Sequence, residues 1–315
     1  MVELKLEFPE RFFEEEVRCD FLVTKKRKEI WAVELDLLAE FMRVCDKYDL
    51  KYSVEGGTLL GAVRHHGYIP WDDDIDIAML REDYDKLIKV ANAEFKAPYF
   101  WQTEETDPGS IRGHAQLRNS ETTAILNWEK GKRIKYNQGI FIDIFPFDNI
   151  PENDELVHKQ YNKIVKLKKR VVHLADLSIN YSSEYNYSSN HMMNIVKKYV
   201  IHPIICLLPN YFSYKLAYRK FENECKKYNG ICCPITADLC LPVGIDRMKR
   251  KKNDFDDLDI VPFEFLRVPI YHNWKENLTI SYGPDFMVFK KGVADHGGLF
   301  FDTSKSYKFY GNEDA

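Results

Sequence analysis

Residues 24–49 set the first hydrophobic pattern, with Ile30, Val33, Leu37, Leu38, Phe41, Met42 and Cys45 recurring mostly every three or four positions between charges, which predicts a helix. The same period predicts a helix over 82–95, with Tyr84, Leu87, Ile88 and Ala91 on one face. Between them the pattern shortens to alternation. Lys51 to Val54 reads as a short strand, Gly57 to Val63 begins a helix, and Asp74 to Leu80 is a second strand with Ile75 and Ile77 directed to the core. Further strands are expected at 99–103, 114–118, 123–126 and 139–145. In the last, GIFIDIF, Ile140, Ile142 and Ile144 share one face while Phe141, Asp143 and Phe145 share the other. Helices are expected over 153–175, 192–208 and 211–228. Phe263 to Pro269 reads as a strand and His272 to Tyr282 as a short helix ending at Gly283-Pro284.

The composition changes from Asp176, and a polar, Ser- and Tyr-rich run, NYSSEYNYSSN, divides the chain. The expected organisation is a core over 1–175, an inserted mostly helical region over 176–250, and a C-terminal segment over 251–315 that closes the core. The fold class is α+β: a mixed sheet flanked by helices, with an inserted helical lobe.

The chemistry concentrates at YSVEGGTLLGAVRHHGYIPWDDDIDI, residues 52–77. On an extended strand Asp74 and Asp76 point the same way, and two carboxylates on one face repel unless a cation lies between them. Mg²⁺ suits such hard oxygen ligands and keeps positions open for substrate phosphates, with Mn²⁺ as a substitute. Asp72 joins this face if the strand already begins there. The glycines Gly56 and Gly57 allow backbone N–H groups to approach a phosphate where a Cβ would hinder them. Asp143, alone on an apolar strand, needs a cation or a hydrogen-bond donor.

The spacing of GG and D-h-D-h resembles the nucleotidyltransferase superfamily, and the longer string EGGTLLGAVRHHGYIPWDDDIDI resembles the LicD family of phosphocholine transferases. Fukutin and fukutin-related protein are more distant relatives in that resemblance. It is strong over Lys51 to Leu87, with weaker echoes at 139–147 and 263–283, and it does not extend to 176–250. It implies a nucleotidyltransferase-like fold and transfer of an alcohol phosphate from CDP-choline, or another CDP-alcohol, to a hydroxyl of a glycan acceptor or its lipid-linked precursor. CMP is the implied leaving group. The implied roles are catalytic and metal-binding for Asp74, Asp76 and Asp143, metal-binding for Asp72, and phosphate contact for Gly56, Gly57, Thr58 and Arg64, with His65 and His66 as weaker cation candidates. A choline pocket would be aromatic, for which Tyr68, Trp71, Trp101 and Trp128 are available.

Two other readings stay open on the motif. A nucleotidyltransferase adding a nucleoside monophosphate shares the metal pair and differs in the phosphorus attacked. A non-catalytic binding or assembly protein has no need of three costly carboxylates at one cleft.

Composition narrows the partners. The formal charge is −4, from 45 basic and 49 acidic residues, which gives no whole-chain basis for nucleic-acid binding. The basic runs 25–28, 166–170 and 249–252 read as solvated faces. The acidic start of the sequence is unlike an export signal, and 199–208, the longest apolar candidate, is broken by His202 and Pro203. The expectation is a cytoplasmic protein, with peripheral contact at the inner face of a membrane as the upper limit. Cys225, Cys232, Cys233 and Cys240 are spaced C-x6-CC-x6-C rather than as a C-x2-C zinc knuckle, and they read as ordinary thiols. The fukutin-type resemblance keeps a zinc reading open for them.

Overall fold

The computed structural model describes residues 1–130, 134–179, 214–241, 244–289 and 298–310, together with residues 196 and 200. The chain opens with a small hairpin, β1 (Glu16–Arg18) and β2 (Phe21–Val23), and enters α1 (Lys25–Lys47). The Thr24 hydroxyl caps that helix by accepting the Arg27 N–H. The apolar stripe of α1 is buried, and Trp31, Glu34 and Asp36 are buried with it because the helix packs against the central sheet. Then follow β3 (Ser53–Val54), α2 (Gly56–His65), β4 (Asp76–Leu80), α3 (Arg81–Glu94), β5 (Tyr99–Gln102), β6 (Ala115–Asn119) and β7 (Thr123–Leu126). Next come β8 (Ile140–Ile150), α4 (Asp154–Ile179), α5 (Tyr214–Cys225), β9 (Ile235–Asp238), α6 (Ile245–Met248) and β10 (Lys249–Lys251). The chain closes with β11 (Leu258–Phe263), β12 (Leu266–Tyr271), α7 (Trp274–Tyr282) and β13 (Leu299–Asp302).

The fold is α+β, as the alternation of strand and helix periods led us to expect. Among the described residues the main sheet has seven strands and is mixed, and β8 is its spine. The first half of β8 pairs with β6 antiparallel and with β4 parallel, and its second half pairs with β9 antiparallel. Ile140, Ile142 and Ile144 are fully buried, whereas Phe141 and Asp143 are only partly covered on the opposite face. A satellite core forms where α4 and α5 pack, around Val157, Ile164, Val171 and Phe221.

Several boundaries differ from the sequence reading. The stretch around Phe263–Pro269 is two paired strands, β11 and β12, rather than one, because Glu264, at φ 53°, turns the chain. Its carboxylate then fixes the corner by pairing with Arg18 and accepting the Tyr68 N–H. The region 176–250 contributes α5 and also two strands of the main sheet, β9 and β10. The helix expected over 192–208, the apolar run Ile204–Leu208 and most of the Asp295–Gly298 turn lie outside the described residues. No helix among the described residues is long and apolar enough to cross a membrane.

Gly139 enters β8 against the end of β6, and a Cβ there would overlap the Asn119 carbonyl oxygen. Gly139→Ala is therefore expected to lower stability by ~1–3 kcal/mol or more. Gly230→Ala, with open space around it, should change stability by less than about 0.5 kcal/mol. Denaturant melts of the two variants check this, and equal melts would contradict the register.

Candidate active site

Parallel pairing of β4 with β8 sets Asp76 directly opposite Asp143. Upstream of β4 the chain stays extended, and burial alternates from Asp72 to Ile77: Asp72, Asp74 and Asp76 are partly exposed while Asp73, Ile75 and Ile77 are buried. The alternation expected of a strand thus holds, although β4 itself begins at Asp76 rather than Asp74. The acidic stretch is held from behind by α1, whose Arg27 and Trp31 side chains both donate to the Asp72 carbonyl at 2.9 Å. Carboxylate oxygens of Asp72, Asp73 and Asp74 lie within 4.8 Å of one another. Asp73 therefore joins the cluster, a residue that strict alternation had assigned to the other face.

The electrostatics record this crowding. Burial, then the charges of Asp74, Asp143 and Asp72, push the Asp76 carboxyl well above its ordinary range. Burial and Asp73 do the same to Glu34 of α1, whose carboxyl accepts the Tyr68 hydroxyl at 2.9 Å. Asp143 behaves oppositely. Burial alone would raise it, but His114 Nε2 at 3.1 Å and Gln116 Nε2 at 2.7 Å outweigh that and hold it below the usual carboxylate range. The Gln116 amide is itself oriented: Arg118, buried, donates to its oxygen and leaves the NH₂ for Asp143.

Across from the carboxylates, α2 presents its first residues. Gly56 sits at φ +58°, and a Cβ there would stand 3.0 Å from Asp76 Oδ2; a Cβ on Gly57 would stand 2.8 Å from Asp72 Oδ2. The two glycines are thus required by the close approach of carboxylates to the helix start, where backbone N–H groups favour negative charge. Thr58 is buried, and its hydroxyl accepts the Asp76 N–H at 2.9 Å, so it positions the strand. Glu55 caps the helix at Gly56 N and accepts the Tyr271 hydroxyl at 2.8 Å while paired with Arg250.

Arg64 lies at the far end of α2. It donates to the Phe286 carbonyl at 2.8 Å and to His65 Nε2 at 2.9 Å, and it borders a second cavity with Trp71, Tyr282, Asp285 and Val288. Burial and the Arg64 charge push His65 down to about 4, which makes it a neutral acceptor at pH 7 rather than a cation. Tyr68 stacks on Trp31, and Trp101 stacks on Phe95, so both are core rings; the Trp128 side chain lies outside the described residues. Cys225 and Cys240 are buried and donate to the carbonyls of Leu239 and Gly113, and among the described residues the four cysteines do not gather as a ligand group.

The donor set fits a hard divalent cation: carboxylates alone, mutually repelling, beside a helix N-terminus and an open cavity. That cavity, of about 210 Å³, is bordered by Asp76, Gly56, Tyr282, Arg247, Arg250 and Asp238, among others. Residues 49–178 match the model of the LicD/FKTN/FKRP nucleotidyltransferase domain. Over these residues the chain is similar to the LicD family. The chain is 28% identical over 253 residues to the lipopolysaccharide cholinephosphotransferase LicD of Haemophilus influenzae, covering 80% of this chain and 88% of that protein. It is 30% identical over 116 residues to the ribitol 5-phosphate transferase FKRP of Mus musculus, covering 33% of this chain and 18% of that protein. An uncharacterized protein of Rickettsia prowazekii is 51% identical over 125 residues, 40% of this chain and 42% of the relative. The matched stretch contains Asp72 to Asp76, Asp143, His114 and Gln116, whereas Arg247, Arg250, Asp238 and Tyr282 lie beyond it. The YG turn at Tyr282-Gly283 was visible in the sequence as a closing element; nothing in the spacing of Asp238 or Arg247 distinguished them.

Burial pushes Asp238 up to about 7, an effect opposed by the Cys240 N–H at 2.7 Å and reinforced by Asp148. A raised carboxyl subtracts from stability as pH climbs from its unfolded value near 4 to about 7, and the loss is constant above that. Asp238→Asn removes this loss. Its melting temperature relative to wild type is expected to rise between pH 5 and pH 8, and a difference independent of pH would contradict the burial of this charge.

Proposed function

We propose that this phosphotransferase moves phosphocholine, or a related alcohol phosphate, from a CDP-activated donor to a hydroxyl of a cell-surface glycan or its lipid-linked precursor, with release of CMP. The observation that carries the reading is the carboxylate pair, Asp76 opposite Asp143 across parallel strands, with Asp72, Asp73 and Asp74 beside it and the start of α2 facing it. The named activities of the Haemophilus and mouse relatives, transfer of choline phosphate and of ribitol 5-phosphate, support the transferred group being an alcohol phosphate.

Asp72, Asp74, Asp76 and Asp143 would hold Mg²⁺ or Mn²⁺, with Asp73 adjoining. Bound there, the cation neutralises the donor's phosphate oxygens and the charge that develops as the phosphate bond breaks. The protein's own groups do the rest. Asp143, kept ionised by His114 and Gln116, has the charge and the fixed orientation to accept a hydrogen bond from the attacking hydroxyl or to complete the cation's shell. The start of α2 lies against the same carboxylates, and its N–H groups beyond Gly56, whose own is donated to Glu55, would favour phosphate oxygens. Tyr282, whose hydroxyl lies near Gly56, borders both cavities and separates the carboxylate side from the side of Trp71 and Arg64. The setting we propose is cytoplasmic, at the inner face of a membrane when the acceptor is lipid-linked. The exposed Met287, Val288 and Phe289 beside the second cavity support this.

The deciding experiment uses CDP-choline labelled in the cytidine ring or in the choline. The choline label is expected on the acceptor and the cytidine label in solution as CMP. Cytidine label on the acceptor would replace this reading with nucleotidyl transfer. Asp76→Asn and Asp143→Asn should each lower turnover on the order of 10²-fold or more while the fold persists. Chelation should abolish turnover, and added Mg²⁺ should restore it. Activity within a few-fold of wild type in Asp76→Asn would remove that residue from the site.

A further inference from the structure

The cavity beside Asp76 continues away from the carboxylates along one face of β8. Alternation puts Asp143, Phe145 and Phe147 on that face, and four residue rises from Asp143 to Phe147 cover about 13 Å. At the far end Asp238 of β9 stands opposite Phe147, and both border the cavity. The walls there are apolar, from Phe145, Phe147, Leu241 and Met248, whereas the guanidinium of Arg247 stands at the exposed rim. Among the described residues Arg247 makes no ion pair within 4.0 Å, in contrast to Arg250, which is committed to Glu55. A volume of about 210 Å³ is below the roughly 300–1,000 Å³ of pockets that enclose a whole ligand, so it suits part of one. Apolar walls that include two aromatic rings, a buried carboxyl and an exposed cation match a nucleoside base, its polar edge and the phosphate attached to it.

We propose that this cavity is the nucleoside subsite of the donor, with Asp238 reading the exocyclic amino group of cytosine and Arg247 holding the phosphate of the same nucleotide. The proposal rests on the donor reading above and adds residues outside the matched stretch to it. One Asp238 oxygen already accepts the Cys240 N–H at 2.7 Å, which fixes the carboxyl and leaves its other oxygen as the acceptor for a ligand. A carboxyl oxygen pairs with the amino group of cytosine and has no such partner on uracil, whose corresponding position is a carbonyl. In Asp238→Asn the Cys240 N–H keeps the amide oxygen, so the NH₂ takes the ligand's side and suits uracil instead.

The test is calorimetric binding of CMP, UMP and cytidine to the full chain in Mg²⁺ at pH 8, above the value of about 7 to which burial raises Asp238, so that its carboxylate is an acceptor only. Wild type is expected to prefer CMP over UMP, and Asp238→Asn to reverse that preference, each by on the order of ten-fold. Arg247→Ala, a surface change, should weaken CMP by on the order of ten-fold and leave cytidine unaltered. An unchanged CMP preference in a folded Asp238→Asn overturns the base assignment. Equal effects of Arg247→Ala on CMP and cytidine, or none on either, overturn the phosphate assignment even if Asp238→Asn does not fold. Wild-type protein that binds neither nucleotide overturns the subsite together with the donor reading, whereas binding of CMP with unchanged variants overturns the subsite alone.

Discussion

Like charge forced together at one contact governs this molecule. Parallel pairing of β4 and β8 sets Asp76 against Asp143, and the extended chain before β4 adds Asp72, Asp73 and Asp74. Such a cluster is unfavourable unless the surrounding structure holds it, and each neighbouring element contributes a restraint. Helix α1 grips the Asp72 carbonyl with two side chains, α2 fixes the Asp76 N–H through Thr58, and β6 supplies His114 and Gln116 to Asp143. The two end members of the pair are pushed in opposite directions, Asp76 up and Asp143 down. That asymmetry gives one carboxyl whose charge is disfavoured and one whose charge is already stabilised.

The C-terminal part of the chain is tied to this centre through Glu55. It caps α2 at the glycine turn and takes Arg250 from β10 and the Tyr271 hydroxyl from β12. A buried ion pair of this kind contributes little net stability, yet removing one partner leaves a costly lone charge. Glu55 thus links the glycine turn, the sheet edge and the strand that leads to α7. Tyr282, at the end of α7, then stands over the boundary between the two cavities. The 28% identity to the Haemophilus cholinephosphotransferase spans 80% of the chain, so the likeness reaches beyond the 49–178 domain into this part.

By itself the sequence determined the helices α1 and α3, the β8 face that carries Asp143, and the glycine turn with the acidic run after it. These rest on local periods and on residue types with few alternative uses, which is why they could be read without contacts. Tertiary structure alone decided how those residues are arranged around one another. Thr58 and the two glycines, read from the sequence as phosphate contacts, also have a place in the frame: Thr58 anchors the Asp76 backbone, and the glycines make room for carboxylates. Asp73 entered the cluster because the chain before β4 is extended without being a paired strand. His114, Gln116, Arg250 and Asp238 could not be singled out in advance, because their roles depend on β6, β9 and β10 lying beside β8. Strand order is set by long-range pairing and packing, and no local pattern encodes it.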